Sequence, residues 1–250
     1  EVIVPALTFI ASVNPVKYIG AEPVFMDCDD SLNMDTDKLE DFCRRECIFA
    51  DGSLINKQTK KHIKAIIIVH VFGNMADMES IIEIAREYNL IVIEDAAEAI
   101  GTYYTQGKYE GRHAGTIGDA GVYSFNGNKI ITTGGGGMIV SNDEDLLKRA
   151  KHLTTQAKTD ELYYTHDDVG YNYRMTNVQA ALGLAQLEQL ETFIKIKIEN
   201  YILYKEKIHE IPGLSLLNFN EDTRSNHWLY SLICGDEYPL NRDEIIMYLS

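Results

Sequence analysis

AIIIVHVFGNMADMESIIEIAREYNLIVIE, residues 65–94, sets the architecture of the chain. Residues 65–71 are a continuous run rich in β-branched residues, the composition a strand needs when both of its faces are covered. Residues 77–88 place Ile81, Ile82, Ile84 and Ala85 on one side at helical spacing, which predicts an amphipathic helix. Residues 90–94 return to a β-branched run. Strand, helix and strand at this spacing predict parallel strands joined by a right-handed crossover, hence an α/β fold.

The pattern extends both ways. Upstream, residues 2–5 read as a short apolar strand, 9–19 as a helix despite Pro15, 23–27 as a strand and 37–47 as a helix. Downstream, 121–125 and 138–141 read as strands around the glycine run Gly134 to Gly137. Residues 143–153 form a helix capped by Asn142 or Ser141, and a long helix runs from Val178 to about Ile208. Pro212-Gly213 makes a break. Beyond it, 214–218 and 228–234 read as strands and 242–249 as a helix. We expect a large domain over residues 1–208 and the beginning of a smaller α+β domain over 209–250. There are no internal repeats and no low-complexity segments.

The chain has 250 residues, 45% hydrophobic and 24% charged, enough for a sizeable core. Its formal net charge of -15 is spread along the chain, which disfavours nucleic acid and anionic membrane surfaces as partners. Cys28, Cys43, Cys47 and Cys234 complete no zinc pattern, so no metal site is expected, and free thiols point to a reducing cytoplasm. No signal peptide and no bilayer-length apolar run are present. Glu1 to Pro5 begin inside what reads as a buried strand, and Tyr248-Leu249-Ser250 end just as a helix begins. The chain therefore reads as a fragment of a longer one.

Open parallel sheets bind ligands past the carboxyl ends of their strands. Asp95 lies there, where a poorly hydrated acid must find a partner. It is read either as a helix N-cap or as the ion-pair partner of a cofactor's pyridinium nitrogen, the contact that makes pyridoxal 5′-phosphate (PLP) a better electron sink. Lys129 lies between a strand and the glycine turn, beside Ile130 and Ile131. It is either a snorkelling surface lysine or a partly desolvated nucleophile for an aldehyde. Ser124 is a strand-end serine or a donor to a phosphate oxygen. The four glycines lack the Gly-Lys-Ser/Thr ending of a phosphate loop and are read as a tight turn.

Together these residues resemble the DegT/DnrJ/EryC1/StrS sugar aminotransferases, in VIVPALTFIAS (2–12), PVFMD (23–27), EDAAEAIG (94–101), GDAGVYSFNGNKIITTGGGGMIV (118–140) and GYNYRMTNVQAALGLAQL (170–187). The stretches occur in family order and cover nearly the whole chain. The resemblance implies the PLP-dependent transferase fold type I, a mostly parallel sheet flanked by helices. It implies that Lys129 is the Schiff-base lysine, Asp95 the partner of the pyridine nitrogen, Ser124 a phosphate ligand and Phe9 the aromatic stacked on the ring. Asn172 would reach the phosphate in the partner subunit's site, so a homodimer with shared active sites is expected. Glu98 stands where relatives carry Gln or His near the cofactor's phenolic oxygen, and a shared proton is expected there. The family's glycine-threonine phosphate turn would precede Glu1. Asn126, Arg174 and His227 are substrate candidates, with core or interface roles as alternatives for Arg174 and His227.

Within the family, NGNKIITTGGGG (126–137) resembles the branch aminating C4 of UDP-linked 4-keto-6-deoxy-N-acetylhexosamines for legionaminic-acid or bacillosamine-type surface sugars. GDP-perosamine synthases carry a similar string and are the alternative. The implied reaction is ping-pong, with an amino acid, expected to be glutamate, as donor. A dehydratase branch carries His in place of the lysine, and Lys129 argues against it. A non-catalytic, regulatory relative is the further alternative: the intact set of Asp95, Ser124 and Lys129 argues against it, and the missing phosphate turn keeps it open.

Overall fold

The computed structural model describes residues 1–160 and 162–249. Its centre is a six-stranded sheet. The chain lays down β1 (Val2–Pro5) and β2 (Pro23–Met26), later β6 (Ala65–Val69), β7 (Ile91–Asp95), β9 (Ala120–Ser124) and β10 (Gly137–Val140), in spatial order β10-β9-β7-β6-β1-β2. All neighbours are parallel except β10, which pairs antiparallel with β9 as an edge strand. All five residues of β6 are buried, as the β-branched run predicts for a central strand.

The remaining elements flank this sheet or extend from it. Helix α1 is Asn14–Tyr18, α2 is Thr36–Asp41 and α3 is Met78–Glu87. Asp77 caps α3 by accepting from the Ser80 N–H, and Met78, Ile81, Ile82, Ile84 and Ala85 are its buried face. These side chains join Ile3, Leu39, Ile66, Ile68 and Met75 in the main core. Strands β3 (Cys47–Ala50), β4 (Ser53–Asn56) and β5 (His62–Ile63) make a separate three-stranded antiparallel sheet. Strand β8 (Tyr103–Tyr104) pairs with β14 (Thr223–Arg224). Helix α4 is Glu144–Thr154, α5 is Asn177–Leu187 and α6 is Leu190–His209. The chain also forms β11 (Lys158–Asp160) with β12 (Thr165–His166), β13 (Leu214–Leu216) with β15 (Leu232–Cys234), and α7 (Arg242–Leu249).

Several elements differ from expectation. Residues 9–19 are not one helix: a 3-10 turn at Ile10–Ser12 precedes the five-residue α1, and Pro15 sits in that first turn, where its missing N–H costs nothing. The helix expected over 37–47 stops at Asp41, widens into a π turn at Phe42–Glu46, and gives Cys47 to β3. Helix α4 is capped by Asp143, whose carboxylate accepts from the Asp145 and Leu146 N–H groups, and not by Ser141 or Asn142. The long helix breaks between Leu187 and Leu190, and Thr176 and Gln179 form a capping box at the start of α5. Trp228 lies outside β15, which begins at Leu232.

No helix among the described residues is long and apolar enough to cross a membrane. The same residues hold no cluster of His, Cys, Asp and Glu suited to a metal ion.

Candidate active site

The order of the parallel strands reverses between β1 and β6, because β2 leads away on one side and β7 on the other. The loops after β1, β6, β7 and β9 therefore converge at the carboxyl edge. Register places Asp95 level with Val69 of β6 and Val122 of β9, so the acid ends the middle strand. Its Oδ2 accepts from the Ser12 hydroxyl at 2.6 Å, and its Oδ1 accepts from the Ala97 N–H at 3.0 Å. Thr8 Oγ1 lies 2.8 Å from Ser12 Oγ, extending a hydroxyl chain from the loop after β1.

Lys129 reaches this edge from the 125–136 loop between β9 and β10. Its Nζ lies 3.7 Å from Glu98 Oε1, with side chains 13% and 15% exposed. The other Glu98 oxygen accepts from the Phe72 N–H at 2.7 Å. Burial pushes the Glu98 carboxyl up from its ordinary value and the Asp95 charge pushes the same way, with the Phe72 bond and Lys129 only partly offsetting them. Ser124 Oγ accepts from the Asn126 N–H at 3.3 Å, which leaves its own O–H free to donate.

The other expected residues are placed as follows. Phe9 is 74% exposed on the loop after β1. Asn126 is exposed beside Lys129. Asn172 and Arg174 are exposed on the 171–175 segment, and Arg174 lines a groove of about 870 Å³ with Met138, Ile139, Leu147, Met175 and Gln179. That groove includes none of Asp95, Glu98, Ser124 or Lys129 in its lining. His227 packs its ring against Phe219 and Tyr201, with centroids 4.1 and 4.5 Å away. Its Nδ1 is buried without a hydrogen-bond partner, and burial pushes the imidazole down to about 4, helped by the Arg224 and Lys205 charges.

Besides Ser12, two supports of the site escaped the sequence reading. One is Glu94, fully buried one residue before Asp95. It accepts from His70 Nε2 at 2.9 Å and from the N–H groups of Gly115, Ile117 and Gly118 at 2.7, 2.6 and 2.5 Å. His70 Nδ1 accepts from the Ala76 N–H, so Nε2 is the nitrogen that donates to Glu94. The other is the 223–228 strap. Asn226 donates to the Glu98 and Ile100 carbonyls, Ser225 donates to the Gly73 carbonyl, and Trp228 lies over Lys129 Nζ, 4.1 Å from the ring centroid. A Cβ on Gly73, at φ +87°, would fall 1.9 Å from Asn226 Oδ1, so glycine is what permits this approach. Trp228 is the only tryptophan of the chain and the only usable signal for the strap.

A mostly parallel sheet with flanking helices, carrying a lysine and an acid at its carboxyl edge, defines the PLP-dependent transferase fold type I. The chain belongs to the DegT/DnrJ/EryC1/StrS aminotransferase family, whose model matches residues 1–250. It is 44% identical over 234 residues to the GDP-perosamine synthase of Escherichia coli O157:H7, covering 93% of this chain and 58% of that protein. It is 41% identical over 253 residues to the GDP-perosamine synthase of Caulobacter vibrioides, covering 98% of this chain and 61% of that one. The crystal structure of a DegT DnrJ EryC1 StrS aminotransferase from Brucella abortus superposes with a TM-score of 0.81 at 30% identity, over 94% of this chain and 59% of that one. The chain thus spans about three-fifths of the length of the curated relatives it matches.

Proposed function

We propose that the protein transfers an amino group from an amino acid, glutamate in our reading, to C4 of a nucleotide-linked 4-keto-6-deoxy sugar, using PLP, within bacterial surface-glycan synthesis. The observation that carries this reading is a lysine amine and a doubly hydrogen-bonded carboxylate brought to one sheet edge by separate strands. The donor set suits the cofactor: an amine for its aldehyde, an acid for its ring nitrogen, and a hydroxyl with a free proton for its phosphate. When bound, PLP supplies an aldehyde that accepts the donor's amino group and a ring that disperses the carbanion charge formed at the α-carbon.

In this reading Lys129 Nζ is the group that would hold the cofactor. Once released, it takes the proton from the donor's α-carbon and later returns one to C4 of the sugar. Asp95, fixed by Ser12 and Ala97, keeps a proton on the ring nitrogen. Ser124 donates to the phosphate, and Phe9 offers its exposed ring for stacking. Glu98 shares a proton with the phenolic oxygen. Asn172 serves the partner subunit's site, and Asn126, Arg174 and His227 are the candidates for substrate contact. The exposed Met138, Ile139, Val178, Leu182 and Leu184 support a second copy of the chain as partner.

The nucleotide is the finer point. The motif at 126–137 suggested a UDP-sugar, whereas the two relatives above are named GDP-perosamine synthases, which favours GDP. Incubation with glutamate and either the GDP- or the UDP-linked 4-keto-6-deoxy sugar, read by mass spectrometry, tests both levels. A 4-amino product from one nucleotide supports the reading and selects the base. A folded, PLP-loaded protein that aminates neither sugar refutes it.

A further inference from the structure

Trp228 is buried beside the site, at 6% exposure, and its ring faces the Lys129 amine 4.1 Å from the centroid. Its other end is tied down, because the indole Nε1–H donates to the Asn128 carbonyl at 2.8 Å, the residue before Lys129. Its backbone N–H donates to Asn226 Oδ1 at 3.0 Å. Asn226 is fully buried and holds the Glu98 and Ile100 carbonyls. The ring is therefore fixed against both the lysine's own loop and the loop that carries Glu98. A hydrophobic filler needs none of these bonds, and a leucine would fill much of the same space.

An amine that is covalently held for half of a cycle and free for the other half presents a problem of place. When free and protonated it is a cation in a site with little water, and the long lysine stem has many rotamers. The face of an indole is the strongest aromatic acceptor for such a cation, and the contact gains strength where water is excluded. Glu98 is the carboxylate within 4.0 Å of Nζ among the described residues. Asp95 lies near enough to act on Glu98, and His227 packs its ring against Tyr201 and Phe219.

We propose that Trp228 is a positioning residue for Lys129, its indole face docking, beside Glu98, the ammonium that the free amine becomes on taking a proton, so that it is held in place until it gives a proton back. This rests on the reading of Lys129 given above. The cation leaves the indole face when Nζ loses its proton, so the ring favours the ammonium over the amine. Removing the ring's electron density should make the free amine appear at lower pH, by about one unit, or tenfold in proton affinity.

A single tryptophan allows that change without altering shape. Protein would be produced with tryptophan, mono-, di- and tetrafluorotryptophan, stripped of cofactor, and labelled with trace acetic anhydride across a pH series. Mass spectrometry of the Lys129 peptide gives the pH of half-maximal labelling. We expect that pH to fall stepwise with fluorination, reaching about one unit, and Trp228→Leu to fall at least as far. Lysines remote from the ring, such as Lys17, should not move. Should tetrafluorotryptophan lower the unfolding midpoint, the mono- and difluoro proteins with native midpoints decide the matter. A half-point for Lys129 that stays constant across the natively folded series overturns the proposal. Labelling is done without cofactor, so a flat series removes only the role of Trp228. Cofactor attached to a different lysine would instead remove the functional reading and leave the series intact.

Discussion

Replacing Glu94 with glutamine changes one oxygen into an NH2 group and should cost far more than its size suggests. The carboxylate accepts four hydrogen bonds, two on each oxygen. If the glutamine oxygen stays on Ile117 and Gly118, its NH2 meets two donors, the His70 Nε2–H and the Gly115 N–H. His70 cannot relieve the clash by moving its proton to Nδ1, because Nδ1 already accepts from Ala76. Two buried donors thus lose their acceptor, at ~1–3 kcal/mol each, while loss of a desolvated charge returns part of it. The net expectation is about 2–4 kcal/mol, or a melting temperature lower by roughly 5–15 °C for a chain of this size.

The pH dependence carries a second signature. Burial alone would raise the Glu94 carboxyl, but the His70 bond and the Gly118 and Gly115 N–H groups outweigh it and hold it below its ordinary value. A carboxyl depressed in the folded state gives stability that is present above its unfolded value and lost as pH falls through the folded one. The gap between wild type and Glu94→Gln should therefore be full at pH 7 and close as the pH falls below about 4. Thermal unfolding followed by circular dichroism at pH 7 and across the acid range measures both. A variant melting within about 1 °C of wild type at pH 7 would show that Glu94 is not the acceptor for these four donors.

Three further outcomes follow from the same geometry. Gly121→Ala puts a Cβ 1.9 Å from the Gly115 carbonyl oxygen, so it should unfold or melt far below wild type, whereas Gly127→Ala, with nothing within 4 Å, should melt within a few degrees of it. His227 is held neutral by burial, so wild type should lose stability as pH drops from about 6.5 toward 4, and His227→Asn, which tolerates the φ of 48°, should flatten that loss in a urea titration. Glu98 is raised, so its ionisation opposes folding. Glu98→Gln should gain on wild type as pH rises from 4 to 7, and a constant difference in melting temperature over that range would contradict this assignment.

Legibility in the sequence followed the range of the interactions. Strand β6 and helix α3 were readable because a β-branched run and a helical apolar stripe report burial residue by residue. Lys129, Asp95 and Ser124 could be picked out because strand ends tell where a parallel sheet binds ligands. The break at Asp41 and the strands β3 and β4 were not legible, since Cys43 and Cys47 keep helical spacing while the chain changes structure between them. Ser12 and Trp228 were invisible as site residues for another reason. Ser12 meets Asp95 across 83 residues of chain, and Trp228 bonds Asn128 across 100, and no local pattern records such contacts. Glu94 sat inside a run that reads as an ordinary strand end, and only the fold reveals its four donors, three from the turn at 115–118 and the fourth from His70.

The most direct test of the functional reading is to fix the cofactor where it is held. Protein incubated with PLP would be reduced with borohydride, digested, and mapped by mass spectrometry. The phosphopyridoxyl mass should appear on the peptide containing Lys129, and it should vanish in Lys129→Ala protein that remains folded. Stoichiometric labelling of a different lysine, or none at Lys129 in a folded protein that absorbs as PLP-bound, would contradict it.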